Sequence, residues 1–127
     1  MTQSTPATPT FSLPNLLIRL EGLAVFIGVI AVYAHLSGSA LLFIALLFVP
    51  DVSMIGYLRD TRLGAITYNV VHTYAVPLVL LGAAFAVEWD LGVLLALIWL
   101  AHIGMDRTVG YGLKYVTDFK DTHLNRV

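Results

Sequence analysis

Three stretches of this chain, residues 22–50, 63–87 and 91–105, contain no Lys, Arg, Asp or Glu. Segments that long without charge cannot be solvated loops, and they limit the chain to elements that bury or lipid-solvate an apolar surface. Only 12% of the residues are charged and 58% are hydrophobic, with a mean hydropathy of +0.84. A soluble domain carries about twice that charged share. A chain of 127 residues also keeps much of its surface in contact with solvent. Composition therefore excludes an ordinary soluble domain and excludes wholesale disorder, leaving lipid as the solvent. The net charge of −1 gives no basic surface for nucleic acid. With no Cys, disulfides, thiolate metal sites and a Cys nucleophile are excluded.

A membrane span needs about 20 mostly apolar residues. The first charge-free run is too long for one span and contains the turn signal Ser37-Gly38-Ser39, so it divides in two. Four helices are expected, over about 15–36, 40–58, 63–87 and 91–115. Pro14 marks the first helix start, and kinks are expected at Pro50 and near Pro77. Transmembrane strands would alternate polar and apolar residues, which these segments do not. The expected fold is an all-α integral membrane four-helix bundle, with short connections that make neighbouring helices antiparallel. Residues 1–13, rich in Thr, Ser and Pro, are expected to be disordered, and residues 116–127 to form a polar cytoplasmic tail. No Lys or Arg precedes Arg19, so the first helix reads as an uncleaved span.

Arg19 lies near the start of the first helix, Arg59 and Arg62 in the middle loop, and Arg107, Lys114, Lys120 and Arg126 near the end. The other two loops have no positive charge, and one holds Glu88 and Asp90. The positive-inside rule then puts both termini and the middle loop in the cytoplasm. The expected location is the inner (cytoplasmic) membrane, multi-pass, with the lipid bilayer as partner.

Ionisable groups within a span are expensive and mark candidate sites. Five stand out: Glu21, Asp51, His72, His102 and Asp106. At about 1.5 Å per residue most lie roughly 9 to 14 Å below the cytoplasmic helix ends, with His102 deepest. His102 and Asp106 are i, i+4 on one face, and Tyr68, Asn69 and His72 form a stripe on another helix. The five could converge in the inner-leaflet half, with Tyr68 and Asn69 behind them. Each also has a simpler reading. Glu21 could be a helix-start acid, Asp51 could satisfy donors freed at Pro50, His72 could be packing, and Asp106-Arg107 could be an interfacial ion pair. The shared depth is what exceeds these readings.

His plus carboxylate is a ligand set for zinc, manganese or iron. His72, His102 and Asp106 are the expected metal ligands. Asp51 or Glu21 would serve as general base if the centre activates water for hydrolysis. The competing reading is a structural or partner-binding protein whose polar residues are interhelical glue. A bis-His haem on His72 and His102 and a small proton or substrate carrier stand behind these. The two His differ in depth, acids are poor company for a porphyrin, and a carrier this small would need a homo-oligomer.

The runs LIRLEGL (17–23), PDVSMIGYL (50–58), YNVVHTY (68–74), WLAHIGMDRTVGYGLKY (99–115) and FKDTHL (119–124) resemble a family of small bacterial membrane proteins, domain of unknown function 4260. The resemblance covers about residues 16–124 and implies four membrane helices without an activity. It draws attention to His123, which with Lys120 and Asp121 would cap the cytoplasmic mouth if the tail folds back. A weaker similarity to membrane-bound metal-dependent hydrolases carries no full motif.

Overall fold

The computed structural model describes residues 12–127. Most of the segment expected to be disordered lies outside them, but its last two residues are ordered. Ser12 caps helix α1 (Leu13–His35) by accepting the Asn15 N–H at 3.2 Å, with Pro14 in the first turn. Such a cap satisfies one of the donors a helix start leaves open. After α1 come α2 (Ala40–Leu46), a 3₁₀ segment (Val49–Leu58), α3 (Thr61–Val71), α4 (Ala75–Ala86), α5 (Asp90–Val109) and a short α6 (His123–Arg126). The described residues are helical apart from turns, the tail and one bridge between Lys114 and Thr122. Four stretches are long and apolar enough to cross a membrane: Leu13–His35, Ala40–Leu58, Thr61–Ala86 and Asp90–Val109.

Two of the four are broken rather than kinked. Pro50 has no N–H for the Leu46 carbonyl, so α2 stops at Leu46 and the span continues as 3₁₀ helix. Pro77 has no N–H for the Thr73 carbonyl, and the break falls four residues before it, at His72–Tyr74. That break strands the Val71 and His72 carbonyls, and α5 supplies their donors. Trp99 Nε1 reaches the Val71 carbonyl at 2.6 Å, and an Arg107 terminal nitrogen reaches the His72 carbonyl at 2.8 Å. In lipid an unmet carbonyl would cost several kcal/mol.

Helix α5 is the axis of the bundle: 61% of its apolar stretch is buried, against 6–17% for the other three. Helices α1 and α4 pack on it, and α3 packs on the 3₁₀ segment. Gly22 of α1 and Gly104 of α5 allow the closest approach. A Cβ on Gly104 would lie 2.7 Å from the Gly22 carbonyl oxygen, and one on Gly22 would lie 2.8 Å from the Gly104 carbonyl oxygen. Close backbone contact of this kind is how membrane helices gain packing energy where lipid removes the hydrophobic drive. Large side chains such as Leu41, Leu58, Val79 and Phe85 point outward, as a lipid-facing surface requires.

The helix expected over 91–115 ends at Val109. Gly110, at φ 101°, takes the left-handed conformation and turns the chain so that the Tyr111 N–H meets the Asp106 carbonyl at 2.7 Å. The tail then folds back instead of extending into solvent. Thr122 and Leu124 are buried, and Asn15 Nδ2 donates to the Leu124 carbonyl at 2.8 Å. Asn69 clamps Lys114 through both backbone groups, accepting its N–H at 2.6 Å and donating to its carbonyl at 2.7 Å. Leaving a buried polar group unpaired costs about 1–3 kcal/mol, so Asn69→Ala is expected to release the tail. Limited proteolysis should then cut within residues 111–127 at least tenfold faster than in the wild type.

Candidate metal centre

The two breaks and α5 bring four side chains together. Asp51 comes from the first turn of the 3₁₀ segment, His72 from the end of α3, and His102 and Asp106 from successive turns of α5. One ligand-type atom from each lies within 4.8 Å of all the others. The Nε2 atoms of the two His are 3.1 Å apart. His102 Nε2 is 3.2 Å from Asp51 Oδ1 and 3.2 Å from Asp106 Oδ2. His72 Nε2 is 3.4 Å and 3.6 Å from the same oxygens. A tetrahedral ion with bonds of about 2.0–2.1 Å has edges of about 3.3–3.4 Å, and these five separations bracket that value.

The imidazole of His72 is oriented from behind. Its Nδ1 lies 2.9 Å from the Tyr68 carbonyl. A carbonyl only accepts, so Nδ1 carries the proton, and in the neutral ring the Nε2 lone pair faces the cluster. Tyr68 also stacks on the ring, with centroids 3.7 Å apart and planes 7° apart. Both His are fully buried and Asp106 nearly so, whereas the Asp51 side chain is 35% exposed. Asp51 is therefore the member of the set that meets the surroundings. The residues flanking it help to line an apolar groove of about 620 Å³ walled by Val52, Ile55, Ile66, Val70 and Trp99.

Of the residues singled out in the sequence, Asp51, His72, His102 and Asp106 converge, and Tyr68 supports them. Glu21 does not join them. It is exposed and lines a separate cavity with Ile18, Thr73, Tyr74, Arg107, Leu113 and His123. Asn69 holds the tail and not the cluster. His123 accepts the Leu113 N–H on Nδ1 at 2.8 Å and stands at the same separate cavity. The porphyrin reading fails on geometry, because facing Nε2 atoms 3.1 Å apart leave no room for a macrocycle between them.

Arg107, expected from the sequence as half of an interfacial ion pair with Asp106, makes different contacts. It is 5% exposed and donates to the Tyr111 and His72 carbonyls, both at 2.8 Å. Its signal was available: it follows a ligand position on α5 and lies four residues before Tyr111, beyond the helix-ending Gly110.

Burial, and then the Arg107 guanidinium, push the His123 imidazole below its ordinary value. A folded-state value below the unfolded one stabilises the docked tail above about pH 6.5, the unfolded value. That contribution is lost as pH falls through the folded value. Moving from pH 7.5 to 5 is expected to make residues 111–127 more accessible to protease. His123→Asn, which keeps an acceptor for the Leu113 N–H without titrating, should remove this pH dependence.

No curated protein and no solved structure matches the chain. One family does, described as a domain of unknown function, DUF4260, and its match runs over residues 15–127, which takes in the helices except the first two residues of α1, the four clustered side chains and the folded-back tail. The chain belongs to the DUF4260 family.

Proposed function

We propose that the protein is a membrane-embedded metalloprotein that holds one divalent transition-metal ion, zinc in the first instance, on Asp51, His72, His102 and Asp106. The observation that carries this reading is that five of the six donor separations lie at 3.1–3.6 Å, close to the edges of a zinc tetrahedron. Two buried imidazoles facing two carboxylates inside lipid are costly by themselves, and a dication offsets that cost. The ion would sit on His72, His102 and Asp106 as fixed ligands. Asp51, the exposed member, would be the ligand that yields to water. When bound, such an ion would supply activation of water for hydrolysis, and Asp51 would place that chemistry beside the apolar groove. Manganese and iron use the same donors, and the metal found decides among them.

The test is elemental mass spectrometry on protein purified in mild detergent without chelator. About one zinc per chain is expected. A chain that stays empty after reconstitution with zinc, manganese and iron(II) would sink the reading. The cluster would then be interhelical glue, which its hydrogen-bond-length separations also permit.

The charge pattern supports a cytoplasmic membrane location with both termini inside. The folded-back tail and the cluster then belong to the cytoplasmic half. Reporter fusions at residue 127 should be active on the cytoplasmic side and inactive outside.

A further inference from the structure

The separate cavity, about 270 Å³, has donor side chains on one part of its wall, beside Ile18, Leu113 and Glu21. Arg107 is 5% exposed, and among the described residues no carboxylate lies within 4.0 Å of it. Its guanidinium has five N–H donors. Two are used on the Tyr111 and His72 carbonyls, which leaves three. Tyr74 lines the cavity and carries a buried hydroxyl with no hydrogen-bond partner; its ring centroid lies 6.0 Å from the guanidinium Cζ. His123 accepts on Nδ1, so the neutral ring carries its proton on Nε2 and contributes a further donor. Thr73 contributes a hydroxyl. Buried donors that lack acceptors demand one, and the buried guanidinium meets the Asp106 carboxylate only through space, so its remaining donors are left to the cavity. Glu21 on the lining is the one carboxylate, and it is exposed, so water screens its repulsion far more than it screens the buried Arg107.

We infer that this cavity is an oxyanion site that takes the phosphate group of a phosphate ester. Arg107 supplies the charge, and Tyr74, His123 and Thr73 supply directed hydrogen bonds. Guanidinium is the cation best matched to phosphate geometry. The place in the fold fits, since the cavity lies between α1, the α3–α4 break, the end of α5 and the folded-back tail, where a phospholipid head group or a soluble phosphate ester could enter. Two of the donors are chain neighbours of metal-site residues: Arg107 follows Asp106, and Thr73 follows His72. If the metal is bound, its two charges neutralise Asp51 and Asp106, and Arg107 is left to be balanced from the cavity. That charge count rests on the metal reading; the donor arrangement does not.

The test titrates detergent-purified full-length protein with inorganic phosphate by calorimetry, and measures tightly bound phospholipid per chain by mass spectrometry. Tyr74→Phe is the decisive variant, because it deletes a hydroxyl that bonds nothing in the protein and so leaves the fold intact. His123→Asn keeps the Leu113 contact but withdraws the Nε2 donor. Arg107→Met removes the charge, and its own effect on folding is read from its melting curve. A soluble ester site predicts one phosphate per chain, with affinity about tenfold weaker in Tyr74→Phe and His123→Asn and none in Arg107→Met. A lipid head-group site predicts no free-phosphate binding, with about one retained phospholipid per chain that Tyr74→Phe sheds. The inference is overturned if neither ligand binds, or if Tyr74→Phe and His123→Asn both match the wild type. It is also overturned if phosphate binding disappears with chelation but survives Tyr74→Phe, which would put the phosphate on the metal. Phosphate binding sensitive to Tyr74→Phe in a chain that never takes up metal would keep this inference and discard the metal reading.

Discussion

His102→Ala is expected to empty the metal centre. His102 Nε2 is the common neighbour of the set, 3.1–3.2 Å from His72 Nε2, Asp51 Oδ1 and Asp106 Oδ2. Loss of a group that only orients a ligand lowers metal affinity about 10–100-fold, so loss of the ligand itself should exceed about 100-fold. The ring is fully buried, and its removal also leaves a cavity between the two carboxylates. An ion present at about 1,000 times its dissociation constant stabilises the fold by about 4 kcal/mol, so most of that should vanish together with the metal. His72→Ala should behave alike. Asp51→Asn, at the exposed position and still able to donate an oxygen, should weaken binding much less. Metal content and thermal midpoint measured side by side check the series. Full occupancy in His102→Ala would contradict the assigned ligands.

Gly104→Val should have an effect of similar size for a different reason. The new Cβ would meet the Gly22 carbonyl oxygen at 2.7 Å and the Phe26 nitrogen at 3.0 Å. Both are backbone atoms of α1 and neither can rotate away, so α1 and α5 must separate. Overpacking a tight contact costs about 1–3 kcal/mol and occasionally more, and the upper end is expected where two backbones touch. Gly104 stands between His102 and Asp106 on α5, so separation also displaces two of the proposed metal ligands. Metal content should therefore fall along with stability. Gly82→Ala is the control: a Cβ there meets nothing within 4 Å, and Ala is the better helix former by about 1 kcal/mol. Thermal unfolding in detergent should show a large loss for the first and no loss for the second.

Charge distribution and turn chemistry revealed most of this fold in the sequence. The charge-free runs located the four spans, and two prolines marked the places where spans two and three change. Hydropathy does not distinguish α from 3₁₀ geometry, so the 3₁₀ segment that presents Asp51 was not readable. His102 and Asp106 were readable as a pair because i, i+4 spacing fixes a shared face. Glu21 shared their axial depth, but depth says nothing about direction around a helix. Gly22, whose missing side chain lets α1 approach α5, decides that direction, and it turns Glu21 away from the cluster. Arg107 was harder to read because its partners are carbonyls, one released by a break in another helix and one just beyond the end of its own. The sequence offered a folded-back tail only as an alternative to a solvated one, because its anchors, Asn69 and Asn15, lie 45 and 109 residues from the atoms they hold.

The four clustered donors are divided among three spans, and the last to be synthesised brings two of them. A nascent chain that has delivered only its first three spans to the membrane has Asp51 and His72, too few to hold an ion. It also has the Val71 and His72 carbonyls uncovered, because Trp99 and Arg107 have not yet arrived. Arrival of α5 completes the donor set and covers the carbonyls in one step. Metal occupancy would thus act as a proofreading mark, present on finished molecules and missing from truncated or mis-inserted ones.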